Sequence, residues 1–112
     1  MLIYKICSED AWSQAEQDGH YHGCRDDRAD GFIHFSTATQ LAGTAAKHFT
    51  GREDLVLVAV DELSLGEALK WESSRNGALF PHLYGTLDAS GIEWVKPLPL
   101  DENGQHRFPG GI

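Results

Sequence analysis

Three short stretches place proton-carrying or hydrogen-bonding side chains at the spacing of extended chain. In "DGFIHFSTATQL" (30–41), strand alternation sends Phe32, His34 and Ser36 to one face and Ile33, Phe35 and Thr37 to the other. Two positions along a strand put His34 and Ser36 about 7 Å apart, close enough to share one ligand. An imidazole there can donate hydrogen bonds or act as a general acid or base near neutral pH. A buried face would favour aliphatic residues instead, because an unbonded imidazole or hydroxyl costs ~1–3 kcal/mol to bury. In "LKWE" (69–72), Lys70 and Glu72 share a face, and Glu72 is a candidate catalytic carboxylate or acceptor for ribose hydroxyls. In "FPHLYG" (80–85), His82 and Tyr84 alternate onto one side of a rigid recognition loop. They offer a stacking ring and hydrogen bonds suited to a base or nicotinamide. Each stretch has a structural alternative: a hydrogen-bonded, half-buried histidine at 34, a surface ion pair of Glu72 with Lys70 or Arg75, and a packed aromatic turn at 80–85.

Other chemistries find less support. His20, His22 and Cys24 in "HYHGC" are metal-ligand types, with His106 a conceivable fourth, but the spacing lacks paired C-x-x-C arms and no metal is expected. The sequence contains neither a P-loop nor G-x-G-x-x-G. Without G-x-S-x-G, and without an acid paired to a histidine beside a serine, a hydrolytic triad is weakly supported.

These residues need a scaffold, and the composition describes one. With 112 residues, 41% hydrophobic and 23% charged, the chain reads as one domain over 1–112, large enough to fold without disulfides or metal. The formal net charge of −8 argues against nonspecific binding to DNA, RNA or an anionic membrane, and leaves room for a small phosphorylated ligand. Two cysteines, no signal-peptide pattern and a longest apolar run of only "LVLVAV" lead us to expect a cytoplasmic protein. The oligomeric state is not encoded in any feature of the sequence.

Along the chain, "LIYKIC" has strand composition, and Ser8 caps an expected helix over 9–18 with acids in its first turn and Gly19 as its stop. "HYHGCRDDRAD" reads as a polar loop, and 31–36 as the second strand. Thr37 with Gln40 forms a capping box for a helix over 38–49 with an apolar stripe of Leu41, Ala45 and Phe49. "DLVLVAV", apolar on both faces, should be a covered interior strand. Short strands near 69–72 and in "GIEWVKPLPL" follow, and 101–112 is expected to be a flexible tail. Early helices and late short strands predict an α+β domain with two helices and a mixed or mostly antiparallel sheet.

The combination of "IYKI", "DGFIHFSTATQL", "LVLVAVD", "LKWE" and "FPHLYG" resembles the bacterial family catalogued as domain of unknown function 952, over nearly the whole chain. That family is similar in fold to the ADP-ribosyltransferase-like proteins, which bind NAD between the halves of a split sheet. The resemblance implies that Ser36 and Thr37 stand for the Ser-Thr element beside nicotinamide, and that Glu72 stands for the late glutamate that orients the ribose. It implies that His34 or His82 brings imidazole to the cleft. Ala38 stands where a third polar residue would complete the Ser-Thr-Ser element, and Tyr4 and Lys5 stand where an early arginine or histidine would be.

Three functions follow as expectations. One is an enzyme using NAD as substrate, with Glu72 and His34 catalytic and Ser36, Thr37, His82 and Tyr84 binding the dinucleotide. Another is a noncatalytic module holding a nucleotide or small metabolite in the same cleft. The third is a domain whose histidines serve the fold alone.

Overall fold

The computed structural model describes residues 1–112, except for the side chain of Arg75. The chain opens with strand β1 (Leu2–Ser8), which runs directly into helix α1 (Glu9–Asp18). Ser8 makes the switch: its backbone is extended and its Oγ accepts from the Ala11 N–H at 3.1 Å. Gly19 ends the helix in the left-handed region at φ 87°, where a side chain would be strained. The Ser8→Ala protein should lose about 1 kcal/mol of stability, within the usual range for N-caps. Urea unfolding would show this as a lower midpoint at unchanged slope; an unchanged midpoint would mean water replaces the cap.

The stretch expected to be a polar loop holds two elements. Strand β2 (His20–Tyr21) comes first, then helix α2 (Arg25–Asp30). The loop reading missed α2 because the helix carries no apolar stripe; its capping supplies the order. Cys24 stands at the N-cap, Asp27 reaches back to the Cys24 N–H at 3.0 Å, and Gly31 closes the other end at φ 89°. The strand expected over 31–36 shrinks accordingly to β3 (Ile33–His34), since Gly31 already belongs to the helix cap.

After β3 the Thr37–Gln40 capping box is present, with Thr37 N–H donating to Gln40 Oε1 at 3.0 Å. The helix expected over 38–49 is a 3-10 turn at Ala38–Gln40 followed by α3 (Leu41–His48). Strand β4 (Leu55–Asp61) follows, then 3-10 turns and β5 (Leu69–Ser73), β6 (Leu79–Leu83), β7 (Leu87–Asp88) and β8 (Trp94–Pro97). The 80–85 segment is therefore mostly strand, not a recognition loop. Proline is tolerated there because Pro81 supplies only its carbonyl, which accepts from Phe35 N–H at 3.0 Å.

The paired strands run antiparallel in every case, in the orders β1-β4-β8, β3-β6-β5 and β2-β7. This is an α+β domain with antiparallel sheets and few helices. Tyr4 and Ser36 join the two larger sheets by exchanging backbone hydrogen bonds of 2.8 Å in both directions. As the continuous apolar run requires, β4 is interior, and its Leu57, Val58, Ala59 and Val60 are fully buried. On one face Ile3, Cys7, Val58 and Val60 pack with Trp12 and Ala15 of α1 and with Ile33, Phe35 and Leu83 of the second sheet. On the other, Tyr4, Ile6, Leu57 and Ala59 pack under Leu41 and Ala45 of α3 and against Leu98. Each such large aliphatic side chain contributes ~1.5–3 kcal/mol of transfer free energy. Within 101–112, His106 Nε2 lies 2.8 Å from the Arg52 carbonyl and Phe108 packs against the second core.

Candidate functional site

The sheet β3-β6-β5 sorts its side chains cleanly. Directly opposed residues share a face, so the pairs His34–His82, Lys70–His82 and Glu72–Phe80 put His34, His82, Lys70 and Glu72 together on one side. The pairs Ile33–Leu83 and Trp71–Pro81 occupy the opposite, core side. The polar face of the opening motif exists because Ile33 and Phe35 already meet the core.

His34 is held by a group that the sequence reading passed over. Asp27 is only 2% exposed, and its carboxylate is the meeting point of three segments. Oδ1 accepts from His34 Nδ1 at 2.6 Å and from the His34 backbone N–H at 3.2 Å. Oδ2 accepts from Cys24 N–H at 3.0 Å and pairs with Lys5 Nζ at 2.8 Å. Lys5, 4% exposed, lies between Ile3 and Cys7 on the inward face of β1. Burial alone would raise the Asp27 pKa, but the His34 hydrogen bond and the Lys5 charge outweigh it and hold the carboxyl well below the usual range. On the outer side, His34 Nε2 lies 2.9 Å from the exposed Asp30 carboxylate. Both nitrogens of His34 are thus committed, and each contact is donated when each nitrogen carries a hydrogen.

His82 has a different arrangement. Its Nδ1 lies 2.8 Å from Glu72 Oε1, which also accepts from Tyr84 Oη at 2.7 Å. The Tyr84 hydrogen bond, then that of His82, lowers the Glu72 pKa, and the same bond to Glu72 raises that of Tyr84. Phe32 stacks on the His82 ring at 4.0 Å between centroids, and His34 meets it edge-on at 5.5 Å. A carboxylate on Nδ1 fixes the hydrogen there and leaves Nε2 with its lone pair.

The two imidazoles lie in the wall of a cavity of about 350 Å³. Lys5, Asp27, Ser36, Thr44 and Lys47 also line it. Of the residues singled out by sequence, His34, Ser36 and His82 therefore reach one cavity. Glu72 and Tyr84 stand behind His82 and do not line it. Thr37 is turned to the start of α3, its Oγ1 3.2 Å from Thr39 Oγ1. Ser36 Oγ is 2.9 Å from Thr44 Oγ1. No ion pair of Glu72 with Lys70 is present among the described residues, and the Arg75 side chain lies outside them. No group of three His, Cys, Asp or Glu side chains is gathered for a metal ion among the described residues. The thiol of Cys7 is buried, which pushes its pKa up to about 12, so it is no nucleophile.

Asp27 and Lys5 were the residues missed. Alternation does place Lys5 on the face of Ile3 and Cys7, and an inward lysine demands a buried acceptor. The acid at the third position of a capped turn, "CRDD", was the available candidate.

These features define a small α+β domain with a polar cleft where two antiparallel sheets meet. Residues 6–95 match the family described as protein of unknown function (DUF952), and the chain belongs to that family. It is similar to the crystal structure of protein CC0527 from Caulobacter crescentus, at 48% identity over 96% of this chain and 94% of that one, with a TM-score of 0.92. The solution NMR structure of CC0527 agrees at 50% identity over 93% and 90% of the two chains, with a TM-score of 0.85. No curated protein matches the chain. Among the described residues, no helix is long and apolar enough to cross a membrane.

Proposed function

We propose that the cleft binds a small nucleotide, with nicotinamide nucleotides the class whose chemistry fits it. The observation that carries this reading is the cross-strand pair of His34 and His82, each held by a carboxylate at the wall of one cavity. The cavity walls differ in charge. Helix α2 contributes Asp26, Asp27 and Asp30, and α3 contributes Lys47 and His48. A ligand with a cationic ring at one end and a phosphate at the other suits both walls. The Ser36 hydroxyl, whose proton goes to Thr44, keeps its oxygen as an acceptor for ribose or amide groups. The resemblance to ADP-ribosyltransferase-like proteins supports the same ligand class. It lends less support to transfer chemistry led by Glu72, whose carboxylate is engaged by His82 and Tyr84 outside the cavity.

A thermal-shift screen with NAD, ADP-ribose, nicotinamide mononucleotide and AMP tests the reading. A ligand at a hundred times its Kd stabilises by about 2.7 kcal/mol, enough for a clear rise in Tm. The His34→Ala protein, checked for native circular dichroism, should lose that rise. If none of the four ligands shifts the parent, or if His34→Ala responds as the parent does, the histidines serve the fold alone.

A further inference from the structure

Resting on the nucleotide-binding reading, we propose that the cleft hydrolyses the N-glycosidic bond of a pyridinium mononucleotide, with His82 Nε2 as the general base. Glu72 is then a positioning residue, because it bonds the imidazole from outside the cavity, and Tyr84 holds Glu72 in turn.

Most of the buried and half-buried polar side chains in the cavity wall are already committed to partners. His34 has both nitrogens on carboxylates, and Lys5 is paired with Asp27. Ser36 is bonded to Thr44. Among the described residues, His82 makes a hydrogen bond through Nδ1 alone. The buried polar side-chain atoms left without partners among the described residues are Trp12 Nε1 and Tyr21 Oη. His82 Nε2, equally unpartnered among the described residues, is not walled off with them. Glu72, which does not line the cavity, takes the Nδ1 edge of the ring, and the opposite edge carries Nε2.

Among these less exposed side chains His82 is a base without a matching acid, while Lys47 and His48 are exposed on α3. Such a base suits a substitution whose leaving group departs unprotonated. A pyridinium glycoside is that case. His82 Nε2 takes a proton from water, the water oxygen bonds to the anomeric carbon, and the carbon–nitrogen bond breaks. The bonding pair goes to the ring nitrogen, which becomes neutral, and the imidazolium returns its proton to solvent. The products are the free pyridine, the sugar phosphate and one proton. Positive charge on the sugar in the transition state faces the acidic wall of α2, where Asp26 and Asp30 are exposed. The cavity volume of about 350 Å³ is at the small end of ligand sites, which run roughly 300–1,000 Å³, and so favours a mononucleotide over a dinucleotide.

The test incubates the full chain with nicotinamide mononucleotide, follows released nicotinamide by chromatography, and measures the thermal shift in parallel. The proposal expects release by the parent, and a loss of about 100-fold or more in His82→Gln, the usual size of a general-base contribution, with the thermal shift retained. A thermal shift without release overturns the hydrolysis and leaves the binding reading standing. Neither shift nor release overturns both. Release that His82→Gln leaves unchanged overturns the assignment of the base. Should His82→Gln fail to fold, Glu72→Ala decides. Nitrogen-15 spectra of His82 should show the Nδ1–H tautomer in the parent and a mixture in Glu72→Ala, with kcat lowered and KM little changed. Parent-like tautomer and rate in that variant would overturn the proposal.

Discussion

Replacing Asp27 with alanine is expected to remove about 3–5 kcal/mol of folding stability, the range for breaking a buried ion pair from one side. The loss does not come mainly from the Coulomb energy of Lys5 and Asp27. It comes from what the variant leaves behind: a lysine ammonium only 4% exposed, a His34 ring without its anchor, and a helix start without its reciprocal cap. Against a typical total of ~5–15 kcal/mol, the variant would be marginal at best. Urea unfolding measures this directly. A loss below about 1 kcal/mol would mean that Lys5 reaches water at little cost, contrary to its burial. The same carboxylate sets an acid limit. Its pKa is depressed in the folded chain, so its contribution is complete above the ordinary value of 3.8 and is lost as pH falls below it toward the folded value. Stability measured from pH 6 downward should decline more steeply for the parent than for Asp27→Asn.

Gly23→Ala is expected to be the more damaging of two outwardly similar glycine changes. Gly23 and Gly31 bracket α2 and share a left-handed backbone, at φ 95° and 89°. A side chain there costs ~1–3 kcal/mol in strain at either position. A Cβ at Gly31 meets nothing within 4 Å, whereas one at Gly23 falls 2.7 Å from the Asp27 Cβ and 3.2 Å from its Oδ2. Asp27 cannot give way freely, because its oxygens are fixed by Lys5, His34 and Cys24. Gly23→Ala should therefore exceed Gly31→Ala by roughly 1–3 kcal/mol, as overpacking does elsewhere. It should also move the His34 ring resonances, which Gly31→Ala should leave nearly in place. Equal losses would show that the turn before α2 is looser than its packing indicates.

How far the sequence discloses this site depends on the length scale over which each signal acts. Ser8, Gly19 and the Thr37–Gln40 box act within a single turn, and the helices they bound appear where expected. The even apolarity of 55–60 required cover on both sides, and β4 lies between β1 and β8 with a core on each face. Alternation also sorted Ile33 from His34, and brought His34, Ser36 and His82 toward one cavity. Alternation could not reveal that Asp27, 22 residues from Lys5, is the partner of both Lys5 and His34. Nor can local pattern separate a cavity-lining histidine from the carboxylate behind it, and so Glu72 and Tyr84, expected at the cleft, stand behind His82.

Lys5, Asp27 and His34 belong to a strand, a short helix and another strand, yet they share a single carboxylate. They therefore form one heritable unit. A lineage that replaces the lysine by an apolar residue removes the carboxylate's buried counter-charge but keeps its hydrogen bonds from His34 and the Cys24 N–H. One that replaces the aspartate first strands a buried ammonium. The less costly order of change is thus directional, Lys5 before Asp27, because only the carboxylate keeps other hydrogen-bond partners.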